Sequence, residues 1–110
     1  MADDGYQVLV ALGRAGVAMG SIAAVMDACS TEHRPPTASE AAQVSDLAAT
    51  IRADLAFAVE ERDGPAGITD LAAATIRDIQ GWLAVPLLAS FVADCQIEAG
   101  LAAMAQPPVP

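Results

Sequence analysis

The chain predicts an all-α fold: a small bundle of three long helices, the third kinked or broken between Gly81 and Pro86 and giving a fourth helix if it breaks, assembled as a homodimer. Three observations carry that prediction. Apolar residues recur at alternating spacings of three and four over residues 4–31 and again beyond residue 40, the period of one helix face. Alanine, the best helix former, dominates an apolar content of 55%. Proline and glycine gather at Pro35 and Pro36, at Gly64 to Gly67 and at the C-terminal end, which divides the chain into helical segments.

At 110 residues the chain reads as one domain over residues 1–105, followed by a Pro-rich tail at 106–110 that has nothing to bury and is expected to be disordered. Five basic residues, all Arg, stand against fourteen acidic ones, a net charge of −9. That balance opposes binding to nucleic acid phosphates or to an anionic membrane surface, so neither partner is expected. The acidic start at Asp3 and Asp4 lacks the basic region of a secretory signal, which points to a cytoplasmic setting. No run of 18 to 20 apolar residues is uninterrupted: Ile79 to Ala93 is too short, and the stretch from Tyr6 to Met26 carries Arg14.

The first helix is expected over residues 4–31, with a heptad seam of Val8, Leu12, Ala15, Met19, Ile22, Met26 and Cys29. Beside the seam runs a small-residue stripe of Gly13, Gly16, Gly20 and Ala24. Each glycine inside a helix costs up to ~1 kcal/mol relative to alanine, so the stripe implies close approach of another backbone, within the subunit or across a dimer. The helix stops before Arg34, Pro35 and Pro36.

Thr37 and Glu40 then fit a capping box that opens the second helix, which runs to about Arg62 on a stripe of Val44, Leu47, Ala48, Ile51, Leu55, Ala58 and Val59. Phe57 lies off that stripe among alanines, a second apolar surface that invites a partner helix. Gly64 suits a left-handed cap and Pro65 blocks continuation. A third helix starts at Gly67 or Thr69 with Asp70 in its first turn. The segment from Ile79 to Ala93 has no charge and holds the only Trp, so it reads as the core element. Pro86 removes a hydrogen bond to Trp82; a bent rod over residues 68–104 is favoured over a break, and its overhanging apolar end calls for a second subunit.

Chemistry is sparsely signalled. Cys29 and Cys95 lack paired metal or redox spacing and are expected to be reduced, buried thiols; with helices one and three parallel they come level. Cys29, His33 and Cys95 form the sharpest metal set the sequence offers, with Asp94 and Glu98 beside it. Arg14 comes level with Asp78 in the same arrangement, an ion-pair candidate. Met19, Trp82 and Phe91 near the Pro86 kink could line an apolar ligand pocket. Gly13, Gly16, Gly20, Phe57 and Leu88 are the expected dimer interface. No phosphate loop, nucleophile elbow or di-iron ligand pair is present, and no catalytic residue or cofactor is assigned. The functional expectation is a non-enzymatic interaction protein with a regulatory, adaptor or assembly role, acting on itself as a homodimer and on partners with a basic or apolar surface. The alternative is a bundle that binds or transforms a small hydrophobic ligand near Trp82–Pro86.

Overall fold

The computed structural model describes residues 2–105, with side chains from Tyr6 onward; the Pro-rich tail at 106–110 lies outside the described residues. Among the described residues there are four helices: α1 (Ala2–Thr31), α2 (Ala38–Asp63), α3 (Asp70–Leu83) and α4 (Pro86–Ala105). Among the described residues there is no strand.

α1 and α2 form an antiparallel hairpin, and α2 is the hub, packing along α1 on one side and α4 on the other. The α1 seam is buried at Val8, Leu12, Ala15, Ile22 and Cys29 as the spacing predicts. Met19 and Met26 are only half-buried, because the seam drifts round the helix and Ala18 and Val25 take the inner positions. On α2, Ala41, Val44, Ala48, Ile51 and Ala58 close the other side of this core.

The joint after α1 is built by a Schellman arrangement. The amide of Arg34 donates to the carbonyl of Cys29 at 3.0 Å, that of His33 donates to Ser30 at 3.3 Å, and His33 itself takes the left-handed conformation at φ 52°. The capping box at the start of α2 is complete: the amide of Glu40 donates to Thr37 Oγ1 at 3.1 Å, and Thr37 N donates back to Glu40 Oε1 at 2.9 Å. After α2, Gly64 is extended (φ −77°) and the left-handed residue is Gly67 (φ 65°), so the turn comes three residues later than the glycine–proline pair suggests. Thr69 caps α3, accepting from the amide of Ala72 at 3.2 Å.

The bent rod is not formed. α3 ends at Leu83, Ala84 is its C-cap, Val85 is non-helical, and Pro86 is the first residue of α4. Proline suits that position: its fixed φ is already helical, and its missing N–H belongs to the first turn, which has no intrahelical acceptor. The amides of Ala84 and Val85 end α3 by donating to Gln80, Gly81 and Trp82. α4 then leaves at the joint and lies on α2 rather than folding back along α3.

The segment from Ile79 to Ala93 is accordingly less enclosed than its composition suggests. Ile79, Leu88 and Val92 are buried, Trp82, Leu83 and Phe91 are half-buried against the core, and Val85 and Leu87 are exposed. The Cα trace is only 17 Å deep in its shortest dimension, room for two helix layers at most. No helix is covered all round.

Candidate functional site

An open groove of about 840 Å³ lies between the last third of α1 and the first turns of α4. Ala23 and Met26 form one wall and Leu87 and Phe91 the other, with Cys29 also in the lining. Pro35 and Pro36 close the end, where Asp27, Ser30, His33 and Arg34 supply polar edges. The groove exists because α4 packs mainly on α2 and touches α1 only weakly, which leaves a cleft between them.

Arg34 organises the closed end. Its guanidinium holds Glu40 through two bonds, Nη1 to Oε1 at 2.6 Å and Nη2 to Oε2 at 3.1 Å, and also donates to Glu32, to the carbonyl of Pro35 at 3.3 Å and to Cys29 Sγ at 3.6 Å. A bidentate arginine–carboxylate pair fixes direction as well as distance. Beside Arg34, and with the Thr37 amide also donating, the Glu40 carboxyl falls to about 2. Arg34 is held above its ordinary value by Glu40 first and Glu32 second. The two helices are thereby clamped at the loop.

Cys29 and Cys95 lie beneath this clamp, both free and both buried. Burial pushes the Cys95 thiol up to about 11, with Cys29, Asp94, Glu40 and Glu98 adding to the effect. Cys95 on α4 thus feels the charge of Cys29 on α1, although the bent rod on which their predicted levelling rests does not form, and the Cys95 thiol is protonated at neutral pH. His33 sits apart in the turn. Among the described residues no group of three His, Cys, Asp or Glu side chains is placed to hold a metal, so Cys29, His33 and Cys95 do not assemble into a site.

The second clamp joins the middles of α1 and α2. Arg14 donates through Nε to Asp54 Oδ2 at 2.9 Å and through Nη2 to Oδ1 at 2.6 Å. Asp54 is buried while the Arg14 side chain is 60% exposed, so the carboxylate is taken from water and the guanidinium keeps its hydration. Arg14 is held above its ordinary value by that hydrogen bond and by the charge of Asp54. The sequence pairing of Arg14 with Asp78 is thus replaced: Asp78 is exposed on α3, and α2 supplies the partner. Asp54 had no sequence signal beyond being an acidic residue one position before Leu55 on an apolar helix, three after Ile51.

The predicted pocket residues separate. Phe91 lines the groove, but Met19 and Trp82 do not, and only a cleft of about 130 Å³ lies near the joint, between Leu83, Leu88 and α2. The break at Val85 moves α4 away from the position a kinked rod would give it. Among the expected interface residues, Leu88 is buried by α2 within the chain and belongs to the core, and Phe57 is half-buried beside Val10 rather than exposed. Gly13, Gly16 and Gly20 remain exposed, and a Cβ built at any of them meets nothing within 4 Å. The close backbone approach that three helical glycines imply does not occur inside the subunit.

Among the described residues two helices are long and apolar enough to cross a membrane: α1 from Tyr6 to Thr31, with mean hydropathy 1.8, and α4, with mean hydropathy 1.4. The sequence criterion of an uninterrupted run was too strict to register them, since Arg14, Asp94 and Glu98 break the runs without lowering the average far enough. Both pack on α2, which carries Glu40, Asp46, Arg52, Glu60 and Glu61. Spanning with this packing would carry those charges into hydrocarbon at several kcal/mol apiece, roughly 2.5–3.5 on insertion scales. No family model, curated protein or solved structure matches the chain.

Proposed function

We propose that the chain is a non-enzymatic helical interaction protein that works as a homodimer, in a regulatory, adaptor or assembly role. The observation that carries this reading is the set of large apolar side chains left in water on two long helices. Val17 on α1 is 73% exposed, Leu87 on α4 is 80% exposed, and Ile97, Leu101 and Met104 are exposed along the second half of α4. Exposed apolar residues scattered singly are ordinary, but a helix whose apolar residues outnumber its buried ones is an unfinished core. Only Leu88, Val92 and Cys95 of α4 are buried.

Self-association is favoured over a foreign partner of basic character because the largest exposed side chains on α1 and α4, from Tyr6 and Val17 to Leu87, Leu101 and Met104, are apolar. Sedimentation velocity across micromolar concentrations tests the reading. The expected result is a species of twice the 11.1 kDa chain mass, and a single-chain mass throughout rules the homodimer out.

The groove supports a second reading, a site for a small apolar ligand. Its volume falls in the range of ligand sites, roughly 300–1,000 Å³, and its lining is mainly apolar with a few polar groups at one end. Native mass spectrometry of the protein from its own source distinguishes the two: retained small-molecule mass favours this reading, and a bare dimer favours the first.

A further inference from the structure

Resting on the homodimer reading, we infer that the two copies pair through the outward face of α1, antiparallel about a two-fold axis between Gly16 and Gly20, each copy seating its Leu9 and Tyr6 in the other's α1–α4 groove. The occupant of the groove is therefore a second copy of this chain.

Three features of the molecule lead there. The first is periodicity. Opposite the buried seam, α1 carries a second heptad series at 6, 9, 13, 16, 20, 23, 27 and 30, with spacings of three and four throughout. It is uncharged from Tyr6 to Ala23, on a chain of net charge −9. Two such chains repel each other, so a charge-free strip is where they can meet at least cost.

The second is shape. The series has a raised end, a flat middle and a hollow end. Tyr6 and Leu9 project at the start, 69% and 50% exposed. Gly13, Gly16 and Gly20 in the middle have open space where a side chain would be. Ala23, Asp27 and Ser30 at the far end line the groove that Met26, Leu87 and Phe91 deepen. Rotation about a point between residues 16 and 20 matches each position with the one that brings their sum to 36. Leu9 then meets the partner's groove beside Asp27, Tyr6 arrives opposite Ser30, and glycine faces glycine at the axis. An isologous contact needs one patch to be its own complement, and a projection and a hollow at opposite ends of one strip satisfy that twice.

The third is area. From Tyr6 to Ser30 the strip is about 36 Å long, at 1.5 Å per residue, and one helix diameter, ~10–12 Å, wide. That is a footprint of roughly 400 Å² per copy, half of the ~800 Å² each partner gives to a standard interface. α1 alone is too little; engaging the groove walls of Leu87 and Phe91 enlarges the face, and the contact then sits at the small end of the interface range, that of a reversible dimer. The glycines also gain a purpose, since at the axis they let the two α1 backbones close to a distance that any side chain would forbid.

The test is Gly16→Leu in the full chain, paired with a cross-link. A Cβ at 16 meets nothing within 4 Å in its own subunit and leucine is a better helix former than glycine, so the variant keeps its helical circular dichroism while its dimer dissociates at least ~10-fold more readily, ~1.4 kcal/mol. Independently, Tyr6→Cys chains mixed with Ser30→Cys chains and oxidised gather into a covalent heterodimer that neither forms alone. Cys29 and Cys95, buried in both, serve as the common background. A wild-type dimer that Gly16→Leu leaves intact, or that fails to link 6 to 30, overturns this face and leaves self-association standing. A wild-type chain that sediments as a monomer overturns both. If the leucine variant does not fold, the cross-link alone decides.

Discussion

α1 and α4 are alike in composition and unlike in cover. Both pass for membrane-length apolar helices, at mean hydropathies of 1.8 and 1.4, yet 39% of the apolar window of α1 is buried against 17% of that of α4. The difference lies in their neighbours. α1 has α2 beside it along the antiparallel hairpin, whereas Cys95 is the last residue of α4 to be buried and Ile97, Leu101 and Met104 after it are exposed. Hydropathy states what a helix could bury. Topology decides how much it does.

The comparison breaks most sharply on paired truncations. Ile22→Ala, at a fully buried α1 position, removes core contacts and leaves a cavity, so denaturant unfolding should show a loss of ~2–5 kcal/mol. Leu101→Ala, on the uncovered end of α4, should change the unfolding of an isolated chain by no more than ~0.5 kcal/mol. Measured at rising protein concentration, the second value separates two cases. If it grows towards the first, a partner covers the end of α4; if it stays near zero, that end works in water.

Much of this contrast was legible in the residues. The seam from Val8 to Cys29, the Thr37–Glu40 capping box, the stop before Pro35 and the Thr69 cap follow from spacing and local chemistry, which a sequence carries directly. The fate of Pro86 does not, because proline breaks a helix when it falls inside one and starts a helix when it falls at the first position. Both outcomes suit the same residue, and the neighbours of Ala84 and Val85, not the proline, decide between them. From that one choice came the misplacement of Trp82 and Met19 in a pocket, of Leu88 in an interface and of Asp78 opposite Arg14. Asp54 was missed for a related reason: a carboxylate buried by a partner forty residues away has no local mark.

The two arginine clamps carry the comparison to the hairpin itself. Arg14→Ala leaves the buried Asp54 carboxylate without either of its donors, while Arg34→Ala leaves Glu40 still bonded to the Thr37 amide and more open to water. Thermal melts should therefore place Arg14→Ala below Arg34→Ala, with both below the wild type. Equal melting temperatures would mean that the mid-hairpin clamp contributes no more than the loop clamp, and that α1 is held by its apolar seam alone.

Acid sharpens the loop clamp separately. Glu40 is depressed from its ordinary 4.5 to about 2, chiefly by Arg34, so the folded state favours the ionised form. Its contribution is fully present above the unfolded value, near 4.5, and is lost progressively as pH falls towards about 2. Glu40→Gln removes that dependence, because the amide has no charge to lose. The variant should start less stable at neutral pH and lose less of its stability between pH 4.5 and 2 than the wild type, a difference read from urea midpoints at each pH.

The smallest effect expected runs the other way. His33 ends α1 in the left-handed region, where a Cβ crowds the following carbonyl at a cost of ~1 kcal/mol and glycine has none to crowd. Its imidazole takes no part in either clamp, and glycine brings its own loss, the greater freedom of the unfolded chain. The balance for His33→Gly is a gain of up to ~0.5 kcal/mol, with the Arg34–Glu40 pair kept, since the amide bonds to Cys29 and Ser30 come from the backbone and not from the imidazole. A measured loss would place the histidine side chain at work in the groove it lines, and would make the end of α1 a contact surface rather than only a turn.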